Sequence, residues 1–362
     1  MSILFSPGKI GTMEIDNRIV RSATAEILAD LDGYPLPQLS TVYQDLASGG
    51  VGLILTGHLY VHPSGKAHPG MTGIHSDEHI QPLAELVEIV HREGGKVAVQ
   101  LNHGGAQCSQ TEVHDAIAPS NSSSEHLKRS SREMSIGEIE MLVEAFGQAA
   151  RRAKEAGFDG VQIHAAHGYL VSQFHSPLLN RRTDKWGGSL KSRMRFLSAV
   201  TEAVRQQVGE NFPVFTKLGL FDGLDGGLTI EEGLQIAAAH KALGLDAIEI
   251  SSGFTPLRNT GSIRTNIAKE EDEAYFRPLA RQVRLVTDLP ILLVGGLRSK
   301  SIMEDILETG DAQFVSLCRP LISEPDFPKR LIGGKQQRSR CISGNRCFPK
   351  GDQKGIACRC LD

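Results

Sequence analysis

The string His164-Ala165-Ala166-His167-Gly168-Tyr169-Leu170 is the densest collection of chemical groups in the chain. Two histidines three residues apart on a first helical turn project to one side. Imidazole N–H groups placed that way can hold a carbonyl oxygen on which negative charge develops. A tyrosine hydroxyl two residues further on can donate a proton. A metal-binding reading needs a third ligand, and the chain has no His-Glu-x-x-His string to supply a zinc geometry. A single histidine here would read as a strand-end cap or a satisfied buried ring. The three groups together point to chemistry.

Such a cluster works only if rigid elements aim it. Eight short β-rich segments stand out: 18–23, 51–56, 96–101, 160–164, 213–219, 247–251, 290–294 and 314–317. Most are continuous apolar runs, as expected of parallel strands covered on both faces. Helical patterns separate them. Ile80, Leu83, Val87 and Val90 share a face that Gly94-Gly95 ends. Ser135-x-x-Glu138, Thr229-x-x-Glu232 and Ser301-x-x-Glu304 read as helix starts. Eight strands alternating with helices is the count of a (β/α)8 TIM barrel, an α/β fold. The competing doubly wound sheet usually opens with a Gly-rich turn, and no G-x-G-x-x-G follows the first strand. In a barrel the site lies at the C-terminal ends of the strands. The segments there are 22–26, 57–58, 100–103, 164–169, 217, 251–253, 295–296 and 318–319, all rich in polar, basic or Gly residues. The absence of clustered carboxylates among them argues against a metal-dependent aldolase.

The composition is that of an ordinary soluble protein and argues against a disordered or fibrous chain. Of 362 residues, 40% are hydrophobic and 22% charged, and Lys plus Arg (39) against Asp plus Glu (42) leaves a net charge of −3. That balance offers no footprint for nucleic acid or an anionic membrane. No apolar run has membrane-spanning length, and the start lacks the parts of a secretory signal. Six cysteines are too few for a disulfide scaffold, so a cytoplasmic protein with reduced thiols is expected. Residues 1–335 are expected to form the barrel and 336–362 a short Cys-rich C-terminal tail. The loop 176–189, with the only Trp, reads as a structural loop.

Several strings together resemble the old yellow enzyme family of FMN-dependent oxidoreductases, in particular the bacterial branch that includes the flavin barrels of dienoyl-CoA reductases and trimethylamine dehydrogenase. They are Asn17-Arg18-Ile19-Val20-Arg21-Ser22-Ala23-Thr24, Gly50-Val51-Gly52-Leu53-Ile54, Val99-Gln100-Leu101-Asn102-His103, the run from Gly157 to Arg195, Val294-Gly295-Gly296 and Arg319-Pro320-Leu321-Ile322. The resemblance implies FMN across the barrel mouth and NADH or NADPH as electron donor. It lays Ser22, Ala23 and Thr24 along the isoalloxazine edge. Ala25 then stands where relatives often carry Thr or Cys. Gly57 and His58 match a turn after the second strand whose backbone reaches the flavin. Gln100 matches an amide at the pyrimidine end, to which it offers a donor and an acceptor. Lys217 matches a cation near N1 and O2, favouring the reduced ring. Gly295, Gly296, Cys318 and Arg319 match the phosphate site, where Gly admits backbone N–H groups and Arg is a bidentate partner. His164 and His167 match a pair that grips a substrate oxygen, and Tyr169 a proton donor to an activated C=C bond. The stretch 104–133 resembles a lid. His103, Cys108, His175 and Phe221 are further pocket candidates, each equally well read as structural.

Three uses of this framework compete. One is a reductase of enones or enoyl thioesters. Another is a dehydrogenase or demethylase passing electrons to a partner protein. The last is a flavin-binding barrel that has lost catalysis, against which the retained His164, His167 and Tyr169 argue. The tail spacing C-x5-C-x10-C-x-C, from Cys341, Cys347, Cys358 and Cys360, fits neither usual iron–sulfur nor paired zinc patterns. A degenerate tail, a zinc or damaged-cluster site and an intact four-iron cluster all stay open, so no metal ligand is assigned. Homo-oligomerisation also stays open.

Overall fold

The computed structural model describes residues 2–121, 130–252, 254, 261–350 and 354–360. Eight parallel strands close into a barrel. They are β1 (Ile19–Arg21), β2 (Leu53–Tyr60), β3 (Lys96–Asn102), β4 (Gly160–Ala165), β5 (Val214–Gly219), β6 (Ile248–Ser251), β7 (Ile291–Val294) and β8 (Phe314–Leu317). Each expected segment overlaps one of them; β2 runs four residues past its segment, and β3 and β4 one residue past theirs. The outer helices are α1 (Pro37–Ser48), α2 (Ile80–Arg92), α3 (Ile136–Glu155), α4 (Arg195–Val208), α5 (Ile230–Ala239), α6 (Arg277–Arg284), α7 (Lys300–Glu308) and α8 (Phe327–Ile332). Their apolar faces and the outward strand residues form the main core, with Phe146, Phe174 and Phe196 fully buried at its centre. Among the described residues no helix is long and apolar enough to cross a membrane.

Helix ends follow the sequence at two of three starts. Ser135 and Glu138 form the reciprocal capping box of α3, and the Thr229 hydroxyl accepts from the Glu232 N–H at α5. The third start is corrected. Helix α7 begins at Lys300 with Ser299 as its cap residue, not at Ser301. Glu273, just before α6, explains the shift. Its carboxylate accepts from the N–H groups of Arg298 and Ser299 at 2.7 and 2.8 Å and from the Ser299 hydroxyl at 2.8 Å. A distant carboxylate thus does the work of a local cap.

Strand alternation stacks the barrel interior in layers. At the bottom, Val20, Leu53, Leu55, Ala98, Phe215, Ala247, Leu292 and Phe314 pack on Ile10, Met13 and Ile15 of an N-terminal hairpin, Gly8–Ile10 with Met13–Ile15. This apolar plug closes the lower end. Two residues further along the strands stand Ser22, Gln100, Gln162, Lys217, Glu249 and Ser316, a polar layer. Two further still come Thr24, His164, Ser251, Gly296 and Cys318, at the rim.

Candidate active site

A cavity of about 660 Å³ opens on this rim. That is within the roughly 300–1,000 Å³ usual for cofactor and ligand sites. Its floor is a hydrogen-bonded chain. Gln100 Nε2 donates to Gln162 Oε1 at 2.6 Å, and Gln162 Nε2 donates to Glu249 Oε2 at 3.0 Å. The Lys217 ammonium lies 3.0 Å from the same Glu249 oxygen and donates to Ser22 Oγ at 3.0 Å. Gln100, Lys217 and Ser22 line the cavity, whereas Gln162 and Glu249 lie beneath it.

His164, His167 and Tyr169 stand on one side of the cavity. The His164 ring centroid is 5.0 Å from that of His167 and 4.8 Å from that of Tyr169, and His58 lies 5.1 Å from Tyr169. The local backbone is unusual. His167 has φ 62°, and Gly168 has φ 76°. A Cβ on Gly168 would sit 2.3 Å from the Phe254 ring, so only glycine fits between His167 and Tyr169. Ser251, on β6, holds His167 through a 2.7 Å contact between Oγ and Nε2. His164 Nδ1 accepts from the Ala166 N–H at 3.3 Å, which leaves the proton of a neutral ring on Nε2.

Enclosure by protein sets the charge of these groups. Desolvation first, then the neighbouring His167, His58 and Lys217, hold His164 well below the usual imidazole range. Desolvation and Lys217 bring His167 down to about 3. Both rings are therefore neutral at pH 7. Desolvation and then Cys108 push the Tyr169 phenol up, so it keeps its proton.

Toward β7 and β8 the lining turns basic. Gly296, Arg298, Ser316, Cys318 and Arg319 all face the cavity. Arg319 Nη1 donates to the Ser343 carbonyl at 3.2 Å. Arg298 is 8% exposed and reaches the carbonyls of Ile267 and Ser339, yet its Nε is buried with no hydrogen-bond partner. Ser316 Oγ is in the same position. Unpaired buried donors are costly, and a phosphoryl group with strong acceptor oxygens would satisfy them. With an amide and an ammonium on the floor and guanidinium groups at the other end, the donor set fits FMN.

The lining contains Ser22, Ala23, Thr24, His58, Gln100, His164, His167, Tyr169, Lys217, Gly296, Cys318 and Arg319 from the sequence reading. Gly57 and Gly295 are not part of it. The turn expected at Gly57-His58 is corrected, because both lie inside β2, at a register shift between Leu55 and His58. Gly57 is tied to Glu26, whose Oε1 accepts its N–H at 2.9 Å, and a Cβ there would meet Oε2 at 1.9 Å. Gly295 presents its carbonyl to the Tyr275 N–H instead. Thr24 Oγ1 lies 3.1 Å from Cys318 Sγ, and Ala25 is also in the lining.

His103, Cys108, His175 and Phe221 do not line the cavity. His103, for example, is spent on Ser64 and the Gly105 N–H. Part of the stretch 104–133, residues 122–129, lies outside the described residues, as does Gly253. The loop 176–189 is tightly bonded: Asn180 holds the carbonyls of Phe174 and Trp186, and Arg182 those of Pro119 and Met134. Sequence reasoning missed Gln162, Glu249 and Arg298, and it placed Ser251 at a strand end without giving it a role. It also missed that Ser343, Asn345, Cys347, Phe348 and Ile356 of the tail complete the cavity wall. All six cysteines are free thiols, and among the described residues no three His, Cys, Asp or Glu side chains are gathered to hold a metal.

The chain is similar to known proteins along most of its length. The chain is 38% identical over 347 residues to a protein of Thermoanaerobacter brockii named NADH oxidase, covering 94% of this chain and 52% of that one. It is 36% identical over 327 residues to the NADPH dehydrogenase of Bacillus subtilis (strain 168), covering 90% and 93%. The structure of 2-naphthoyl-CoA reductase with 2-naphthoyl-CoA superposes with a TM-score of 0.88 at 30% identity, over 95% of this chain and 54% of that one. The chain thus spans about half the length of the Thermoanaerobacter relative and nearly all of the Bacillus one. With the family's sequence model matching residues 3–338, the chain belongs to the NADH:flavin oxidoreductase / NADH oxidase family.

Proposed function

We propose that this protein is an FMN-dependent NAD(P)H oxidoreductase that reduces C=C bonds conjugated to a carbonyl or thioester. Bound FMN supplies hydride exchange between a nicotinamide and an electrophilic carbon. The observation that carries the reading is a phenol and two imidazoles gathered beside a cavity floored by Gln100 and Lys217. His164 and His167 hold the carbonyl oxygen of the substrate through ring N–H groups. Negative charge gathers on that oxygen as hydride reaches the β-carbon, and fixed donors stabilise it there. Tyr169 gives its proton to the α-carbon, so the double bond gains one hydride and one proton and the nicotinamide ends oxidised. Tyr169 then recovers a proton from solvent. Gln100 and Lys217 would hold the pyrimidine edge of FMN, Ser22, Ala23 and Thr24 would lie along its isoalloxazine edge, and Arg319 with Gly296 and Arg298 would take its phosphate. The names of the relatives support a nicotinamide donor, and one of them a CoA thioester substrate. Free thiols agree with a cytoplasmic setting.

The test is an anaerobic stopped-flow experiment on FMN-loaded protein. NADH or NADPH should bleach the flavin, and an enone or enoyl thioester should then restore its colour while one equivalent of saturated product forms per flavin. Bleaching with no recovery by any activated alkene would overturn the assigned reaction.

A further inference from the structure

The layer beneath the cavity holds a carboxylate that the reaction above does not use. Glu249 is 0% exposed. Its Oε2 takes both Lys217 and Gln162, while Oε1 is buried with no hydrogen bond. Burying an ion pair costs several kcal/mol in lost hydration, and apolar side chains of similar size often serve stability as well. The layer directly below consists of such side chains. Stability alone therefore gives no reason for this charge.

The carboxylate dictates a direction. An ionised carboxylate only accepts hydrogen bonds, so Gln162 must turn its NH2 group toward Glu249. The Gln162 carbonyl oxygen then points to Gln100, which must donate into it. Gln100 is left with its own carbonyl oxygen and its second N–H, and it lines the cavity. One buried charge thereby removes the two-fold ambiguity of two successive amides.

We propose that Glu249 is a positioning residue for the flavin site: through Gln162 it fixes the Gln100 amide with its oxygen toward the flavin's pyrimidine edge, and it offsets the Lys217 charge beneath that edge. The inference rests on the flavin reading above. Its consequence is thermodynamic. A reduced flavin carries negative charge at that edge, so an unopposed Lys217 stabilises it.

Glu249→Gln keeps the shape and removes the charge. Reductive titration against a reference dye should show the two-electron reduction constant rising about tenfold, equivalent to about 30 mV. Gln162→Met leaves the ion pair in place but cuts the amide relay. It should weaken FMN binding about tenfold, read from flavin fluorescence on reconstitution, and move the potential less than Glu249→Gln does. An unchanged potential in Glu249→Gln, or unchanged FMN affinity in Gln162→Met, overturns the proposal. If Glu249→Gln does not fold, the affinity of Gln162→Met decides alone. Unsubstituted protein that takes up no FMN would instead sink the flavin reading itself.

Discussion

Replacing Tyr169 with phenylalanine removes one oxygen atom from the cavity and little else. The ring is held by packing, 4.8 Å from His164 and 5.1 Å from His58 by centroids, and against Tyr60, Ala67 and Met71. Those contacts survive in Tyr169→Phe, so the change in folding stability should stay within about 1 kcal/mol. What is lost is the proposed proton donor, a phenol whose pKa burial and then Cys108 push up. General acids of this kind contribute about 10²–10⁴ in rate, or about 3–5 kcal/mol of barrier. Hydride transfer from the nicotinamide needs no such proton. Stopped-flow measurement of the two half-reactions should therefore show alkene reduction slowed by about 10²–10⁴, with flavin reduction changed by less than about threefold. Equal loss in both half-reactions would refute the role assigned to the phenol.

Three further outcomes follow from the same geometry. Because His167 stays neutral down to about pH 3 and His164 is also held far below the usual range, alkene reduction should show no imidazole inflection between pH 5 and 8; a limb near pH 6.5 would contradict neutral donors. Gly168→Ala forces a side chain into φ 76° and against Phe254, so thermal denaturation should report a loss of at least about 2 kcal/mol, with activity falling as His167 shifts; unchanged stability and activity would show that the turn is not strained. His175 is fully buried with both ring nitrogens unpaired, and desolvation, His240 and Arg193 lower it to about 3. Its folded-state value lies below its unfolded one, so the unfolded chain binds the extra proton, and the stability His175 contributes falls as pH drops from about 6.5 toward 3. His175→Leu should move the acid unfolding midpoint to lower pH, and a midpoint shifted upward would show that the ring has a partner.

The barrel was legible because its strands announce themselves. Runs such as Ile291-Leu292-Leu293-Val294 leave only a buried parallel strand as a reading. The reactive trio was legible because three chemical groups fall within six residues. What escaped is non-local. Glu249 sits two residues before Ser251, the strand-end residue already picked out, in the apolar frame of β6, and that alternation was the available signal for a second inward polar group on the strand. Their partners Lys217 and His167 come from β5 and from the turn after β4, so spacing along the chain could not pair them. Ser301 lost its expected place as the start of α7 because Glu273 reaches Ser299 across the fold. The wall formed by Asn345, Phe348 and Ile356 depends on the tail folding back: the Ile356 N–H donates to the Glu26 carbonyl at 3.0 Å, and the Ser339 N–H to the Arg298 carbonyl at 2.9 Å. No local pattern encodes that return.

A crystal structure of the FMN-loaded protein with an unreactive enone analogue is the most direct trial of the account. The flavin should lie across the rim with its phosphate at Arg319 and its pyrimidine edge at Gln100 and Lys217, and the analogue's oxygen should sit within hydrogen-bond distance of His164 and His167. A flavin bound elsewhere, or an analogue oxygen turned away from both imidazoles, would contradict it.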